Sequence, residues 1–182
     1  MNTRRIIVAL LLGFAALPSM AAEARIGSVV LTVPAVFKGP AKAEADAGVE
    51  VLGYSASEGV TQPAAVLQLT RYVLPTVPDN LSDSELEQGT SQYLLQMMTG
   101  IERRRTEYTQ TAPVKIRLGG KVAAKATWQG NSNGAAMNGT MYCVLSGKDV
   151  IWLHAFGPGN EASVNVALAI RAIEALRIEP AK

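Results

Sequence analysis

The sequence predicts an α+β fold, an antiparallel β-sheet flanked by helices as an α/β/α sandwich, in the order β-β-β-α-β-β-β-β-α. Three observations carry this. Strand-like runs sit on either side of one long, well-capped amphipathic stretch. Two glycine turns join alternating apolar segments in the second half. The last apolar stripe has a helical period.

The N-terminus reads as a secretory signal. Asn2-Thr3-Arg4-Arg5 is a positive n-region, and Ile6 to Leu17 is an apolar run of 12 residues closed by Pro18. Ser19-Met20-Ala21-Ala22 supplies the small residues for cleavage near Ala21 or Ala22. Such a run spans about 18 Å as a helix, short of a ~30 Å hydrocarbon core, so no stable transmembrane anchor is expected. The apolar segment behind Arg4-Arg5 favours the general secretory route over twin-arginine export. The division is therefore a signal over residues 1–22 and a single domain over 23–182. Cys143 is the only cysteine, which excludes an intramolecular disulfide and a lipoprotein cysteine after the apolar run. Export without disulfides points to the periplasm.

The 182 residues carry 17 Lys+Arg against 15 Asp+Glu, a net charge of +2. Arg4 and Arg5 account for that excess, so the mature domain is neutral and no nucleic-acid partner is implied.

Ser28–Val33, Val49–Tyr54 and Ala65–Val73 read as strands, each β-branched or alternating and bounded by Gly or Pro. In the third, Leu67, Leu69 and Val73 share one face. Pro40 to Gly48 reads as a loop or short helix. Ser82-Asp-Ser-Glu85 is a capping box with Leu81 and Leu86 at the staple positions. Leu86, Tyr93, Leu94, Met97, Met98 and Ile101 follow at helical spacing, which predicts a helix over Asp83–Arg104. Acids in its first turns and Arg103-Arg104-Arg105 at its end match the helix dipole.

Pro113–Leu118 and Val122–Gln129 flank Gly119-Gly120-Lys121. A three-residue loop pairs Leu118 with Val122, Ile116 with Ala124 and Val114 with Ala126, so the apolar sets coincide, and this register is expected over a two-residue Gly-Gly turn. The next hairpin joins Thr140–Ser146 to Val150–Phe156 by a type II′ turn with Gly147 first. Its register pairs Leu145 with Val150, Cys143 with Trp152 and Met141 with His154. Both faces are apolar, so the hairpin is central and covered on each side. Asn160 is the candidate N-cap of the closing helix, whose stripe is Val166, Ala169, Ile170, Ile173 and Leu176. That helix is the expected second cover.

With this order of elements the chain resembles the PsbP-like family of α/β/α sandwiches, which includes many exported bacterial proteins. Four segments carry the resemblance: Val29-Val-Leu-Thr-Val-Pro34 as the opening strand, Leu118-Gly-Gly-Lys-Val-Ala123 as the glycine hairpin, Met141-Tyr-Cys-Val-Leu145 into Val150-Ile-Trp-Leu153 as the central hairpin, and Ala167 to Ile178 as the closing helix. It spans nearly all of Ile26–Ile178. The resemblance implies an accessory or assembly factor that acts by binding, with no catalytic residue and no cofactor to transfer. Many exported relatives carry a lipoprotein cysteine that this chain lacks.

His154 is the only histidine, so a histidine-rich metal site is excluded. A Cys143–His154 nucleophilic pair is the enzymatic alternative. The hairpin register makes the two diagonal neighbours about 7–8 Å apart, with Trp152 directly opposite Cys143. Gly157-Pro-Gly159-Asn160 at a helix start invites an anion-cradle reading, but it lacks a phosphate-loop lysine. Asn138-Gly-Thr140 matches a glycosylation triplet and is given no functional weight. Tyr93, Met97 and Met98 are read as core, although a pocket between helix and sheet would make the protein a small-ligand carrier.

The only basic concentration is Arg103, Arg104 and Arg105 with Lys115, Arg117 and Lys125, the last three expected on the hairpin face opposite Ile116. These are the candidate binding residues, for an envelope protein or an anionic envelope surface. The expected function is a non-enzymatic periplasmic accessory factor, for assembly or stress, serving an envelope component.

Overall fold

The computed structural model describes residues 22–42, 48–57, 65–78, 80–159 and 163–179. The predicted signal therefore lies almost wholly outside the described residues, as does Asn160. The architecture is α+β, a mostly antiparallel sheet with two helices, as the sequence predicts at that level.

The described residues open with β1 (Ala22–Ile26) and β2 (Val29–Val33), continue through β3 (Lys38–Lys42), β4 (Val49–Ala56) and β5 (Ala65–Val73), and then form α1 (Asp83–Glu102). After the helix come β6 (Thr106–Gln110), β7 (Val114–Leu118), β8 (Lys121–Ser132), β9 (Ala135–Ser146) and β10 (Asp149–Pro158). The chain ends with α2 (Val164–Glu174) and β11 (Arg177–Ile178). One sheet has the order β3-β4-β5-β10-β9-β8-β6, with β7 pairing the first part of β8 beside β6. A second, three-stranded sheet has the order β1-β2-β11.

Helix α1 follows its sequence signals closely. Ser82 caps it, the Ser82 Oγ accepting from the Glu85 N–H at 3.3 Å while the Ser82 N–H donates to Glu85 Oε2 at 2.8 Å. Leu94 and Met98 are fully buried, and Tyr93, Met97 and Ile101 pack beside them over Ala124, Ala126, Trp128 and Trp152 of the sheet. The helix ends at Glu102 with Arg103 as C-cap, two residues before the predicted end.

The β9–β10 hairpin has the predicted register, Leu145 opposite Val150, Cys143 opposite Trp152 and Met141 opposite His154. Gly147 has φ +60°, which suits the first central position of a type II′ turn. The hairpin lies between β5 and β8 and is apolar on both faces.

The second cover differs from the prediction. Four paired strands present an apolar face about 15–20 Å wide, whereas a helix is only about 10 Å across. α2 alone is too narrow, and the three-stranded sheet completes the layer. Ile26, Val29 and Leu31 join Leu67, Leu69, Leu153 and Ile173 in one core. The Ser28 hydroxyl bonds that of Ser146 at 2.8 Å and ties the two sheets together.

The β7–β8 hairpin corrects a second expectation. Leu118 pairs with Lys121 and Ile116 with Ala123, through a two-residue turn in which Gly119 and Gly120 have φ +52° and +83°, as a type I′ turn requires. The longer loop aligns all the apolar residues on one face, which presumes that β8 has only one buried face. Both are buried: Val122, Ala124, Ala126 and Trp128 lie on the α1 side, and Ala123 lies on the α2 side with Leu118 and Ile116. Strand β3 begins at Lys38 and runs into the stretch from Pro40 read as a loop or short helix, with residues 43–47 outside the described set. β1, β3, β6 and β11 add four strands to the predicted order.

Removing the α1 cap by Ser82→Ala should lower stability by about 1 kcal/mol. Urea unfolding should show a lower midpoint at an unchanged slope.

Candidate functional site

The six basic candidates do not form one patch. In the observed register Lys115 and Arg117 project to the α1 side, where Lys115 Nζ meets Glu87 Oε2 at 2.7 Å and Arg117 meets Asp83 Oδ2 at 2.9 Å. Lys125 projects to the opposite face, its Nζ 2.9 Å from Glu174 Oε1 of α2 and over the Tyr142 ring at 5.3 Å. The expectation that all three share the face opposite Ile116 fails, because the register shifts by one residue and exchanges faces. Arg103–Arg105 lie at the far end of α1, about 24 Å from Glu87 along a helix rising about 1.5 Å per residue. Arg103 and Arg104 are exposed, while Arg105 lies over Trp128 with its guanidinium carbon 5.6 Å from the ring centroid.

Cys143 and His154 lie on the same face of the hairpin but in different surroundings. Cys143 is fully buried between Trp152 and Ala124 in the strand ladder, and burial pushes its thiol well above the ordinary range. His154 Nε2 is engaged elsewhere, accepting the Trp128 indole N–H at 2.9 Å. A donor-only indole fixes that nitrogen as the unprotonated one, so neutral His154 carries its proton on Nδ1. Its ring stacks on Phe156 at 4.4 Å, and burial, reinforced by the Arg105 charge, lowers its pKa to about 3. A Cβ at Gly139 would lie 2.6 Å from Trp128 Nε1 and 2.8 Å from Phe156 Cβ, so glycine stands in mid-strand to admit this aromatic cluster. The nucleophilic pair is not assembled.

The stretch read as an anion cradle is also placed differently. Gly157 and Pro158 end β10, and the Gly159 N–H donates to the Ala136 carbonyl at 2.9 Å. α2 starts later, capped by Ser163, whose Oγ accepts the Val166 N–H at 3.1 Å. Among the described residues no three His, Cys, Asp or Glu side chains converge as metal ligands, and no helix is long and apolar enough to cross a membrane.

The site that sequence reasoning missed lies on the α2 side of β8 and β9. There the inward row of β8 runs Ala123, Lys125, Thr127, Gln129, and that of β9 runs Val144, Tyr142, Thr140, Asn138, paired across the ladder. The first pair is core, Lys125 and Tyr142 both reach Glu174, and the last two pairs are hydroxyls and carboxamides. They floor a groove of about 540 Å³, walled on one side by Val166, Ala167 and Ile170 of α2 and on the other by Thr109 to Thr111. Thr111 is held in place by its N–H to the Thr127 carbonyl and by the Thr127 N–H to its own Oγ, each at 3.0 Å.

Among the described residues, eight of the thirteen that line it carry a hydroxyl or carboxamide, and none of these thirteen ionises. Thr140 is 6% exposed, yet its hydroxyl has no hydrogen-bond partner among the described residues; nor have the side chains of Gln129 and Asn138. Of the three, Thr140 is buried, Asn138 half-buried and Gln129 exposed, and all three line the groove, where a bound molecule would meet their unpaired groups. The legible signal is the alternation Thr127-Trp-Gln129 and Asn138-Gly-Thr140, polar on one face and aromatic or glycine on the other. In isolation it resembles an ordinary solvated strand face.

No protein-family model matches the chain, and no curated protein matches it in sequence. Solved structures share its fold, among them the following two. LpqN of Mycobacterium tuberculosis, described as involved in cell envelope biogenesis, aligns with a TM-score of 0.56 at 15% identity, over 87% of this chain and 90% of that one. PA94 of Pseudomonas aeruginosa, a protein of unknown function described as a putative regulator, aligns with a TM-score of 0.53 at 11% identity, over 88% and 98%. At these identities the likeness concerns the fold.

The buried histidine gives a pH prediction. Its folded pKa lies below its unfolded value near 6.5, so the stability it contributes is full above pH 6.5 and is lost as pH falls toward about 3. The loss is on the order of 5 kcal/mol. His154→Gln, which keeps an acceptor for Trp128, should lose less stability over that window than the wild type when both are unfolded in urea. Cys143 should resist a thiol reagent at neutral pH in the native protein and react rapidly after denaturation. Rapid native labelling would contradict the buried, inert placement.

Proposed function

We propose that the protein is a non-enzymatic accessory factor of the cell envelope, acting in the periplasm after loss of its signal segment and binding an envelope component through the groove between β8, β9 and α2. One observation carries the reading. On a sheet face that is otherwise core, a polar set with Thr140 at its centre is left without protein partners, and it opens into a groove of small-molecule size. The fold shared with LpqN, a protein described as involved in envelope biogenesis, supports the cellular setting, and the PsbP-like resemblance of the strands and closing helix supports binding over chemistry. The exposed Arg103 and Arg104 lie at the far end of α1 and have no part in this groove.

Sedimentation with isolated envelope material tests the reading. Wild-type protein should co-sediment, and Thr140→Val combined with Gln129→Leu should reduce the bound fraction to background while leaving the folded spectrum intact. Equal sedimentation of both proteins, or none of either, would remove the reading.

A further inference from the structure

We infer that the groove takes an uncharged saccharide, an inference that rests on the proposed binding role and adds the chemical class of the ligand. Three alternatives fit the lining less well. An anion seeks a cation or a free backbone N–H, but the described lining residues include no cationic side chain, and the Val166 N–H in the first turn of α2 already donates to Ser163. Lys125, next along the β8 row, pairs with Glu174 of α2. An extended peptide is recognised chiefly through a row of unpaired strand N–H and C=O groups. The floor offers none, because Thr127–Gln129 are paired with Asn138–Thr140 and Thr111 with Thr127. A long acyl chain calls for apolar surface on every side, whereas here the floor and the Thr109–Thr111 wall present hydroxyls and carboxamides.

A sugar fits what remains. Each hydroxyl of a saccharide both donates and accepts, as do Thr127 and Thr140, while the carboxamides of Gln129 and Asn138 offer paired donor and acceptor groups suited to vicinal hydroxyls. The C–H face of a pyranose ring packs on aliphatic surface, which Val166, Ala167 and Ile170 supply. The Trp128 indole is turned to the opposite face, held by His154, so the stacking surface here is aliphatic. A volume of about 540 Å³ accommodates a disaccharide.

The test is a titration of the full, signal-processed, nitrogen-15-labelled chain with maltose, cellobiose and chitobiose, with triglycine and inorganic phosphate as comparison probes. At least one saccharide should shift the amide resonances of Thr127, Gln129, Asn138 and Thr140 saturably. Thr140→Val, which keeps the shape and removes the hydroxyl, should weaken that saccharide roughly tenfold. Gln129→Leu is a second variant at an exposed position, available if Thr140→Val fails to fold. No response to any saccharide overturns the inference, and so does a response at these amides to triglycine or phosphate alone. Undiminished saccharide affinity in the folded variants overturns it as well. Groove-dependent sedimentation with envelope material that persists without saccharide binding removes the ligand class and leaves the accessory role. Saccharide binding without such sedimentation does the reverse.

Discussion

The β9–β10 hairpin is apolar on both faces, and a strand pair of that kind is stable only when something covers each side. Leu153, Ile151, Tyr142 and Val144 need one cover, and Trp152, Cys143, Met141 and Val150 need another. Each such side chain contributes about 1.5–3 kcal/mol when fully removed from water, so leaving either face open is not viable. The two layers follow. α1 lies on one side with Leu94 and Met98 inserted, while α2 and the three-stranded sheet share the other. The edge strands can be polar because the centre is not: β3 and β6 hold their places by ladder hydrogen bonds while remaining largely exposed.

That hierarchy explains which parts of the fold were legible. The capping box of α1, its apolar stripe and the register of β9–β10 are local signals, each set by a few consecutive residues, and they appear where expected. Lys38–Lys42 and Thr106–Gln110 show no hydrophobic period, because an exposed edge strand buries neither face, and so they pass for loops. The β7–β8 register was misread for the opposite reason. Matching apolar residues on a single face is sound for a half-buried hairpin, but β8 is buried on both faces. The two-residue type I′ turn then sends Leu118 and Ile116 to one core and Lys115 and Arg117 to the acids of α1.

The same one-residue shift dissolves the basic patch. A cluster of lysines and arginines in sequence suggests a surface for an anionic partner, but alternate strand residues face opposite layers and a helix of 20 residues separates its two ends. Lys115, Arg117 and Lys125 become three cross-layer ion pairs between strands and helices. Exposed pairs of this kind contribute little each, roughly 0–1 kcal/mol, so their effect lies in orienting α1 and α2 on the sheet more than in stability.

Where the covers run out, the proposed site begins. α2 is only 11 residues long and starts at Val164, so the far ends of β8 and β9 extend past the part of the sheet that it packs closely. Along the α2 face the side chains change in step with that cover, from Ala123 and Val144 through the Lys125–Glu174–Tyr142 network to Thr127, Thr140, Gln129 and Asn138. A face merely exposed to water would tolerate such residues, but Thr140 is buried and rimmed on both sides, by Ile170 and by Thr109–Thr111. Thr111 continues the β6–β8 pairing, its N–H to the Thr127 carbonyl and its Oγ accepting the Thr127 N–H, so its place on the rim is fixed. In the proposed site, a fixed rim, an aliphatic wall and an uncharged hydrogen-bonding floor would recognise shape and hydroxyl pattern rather than charge.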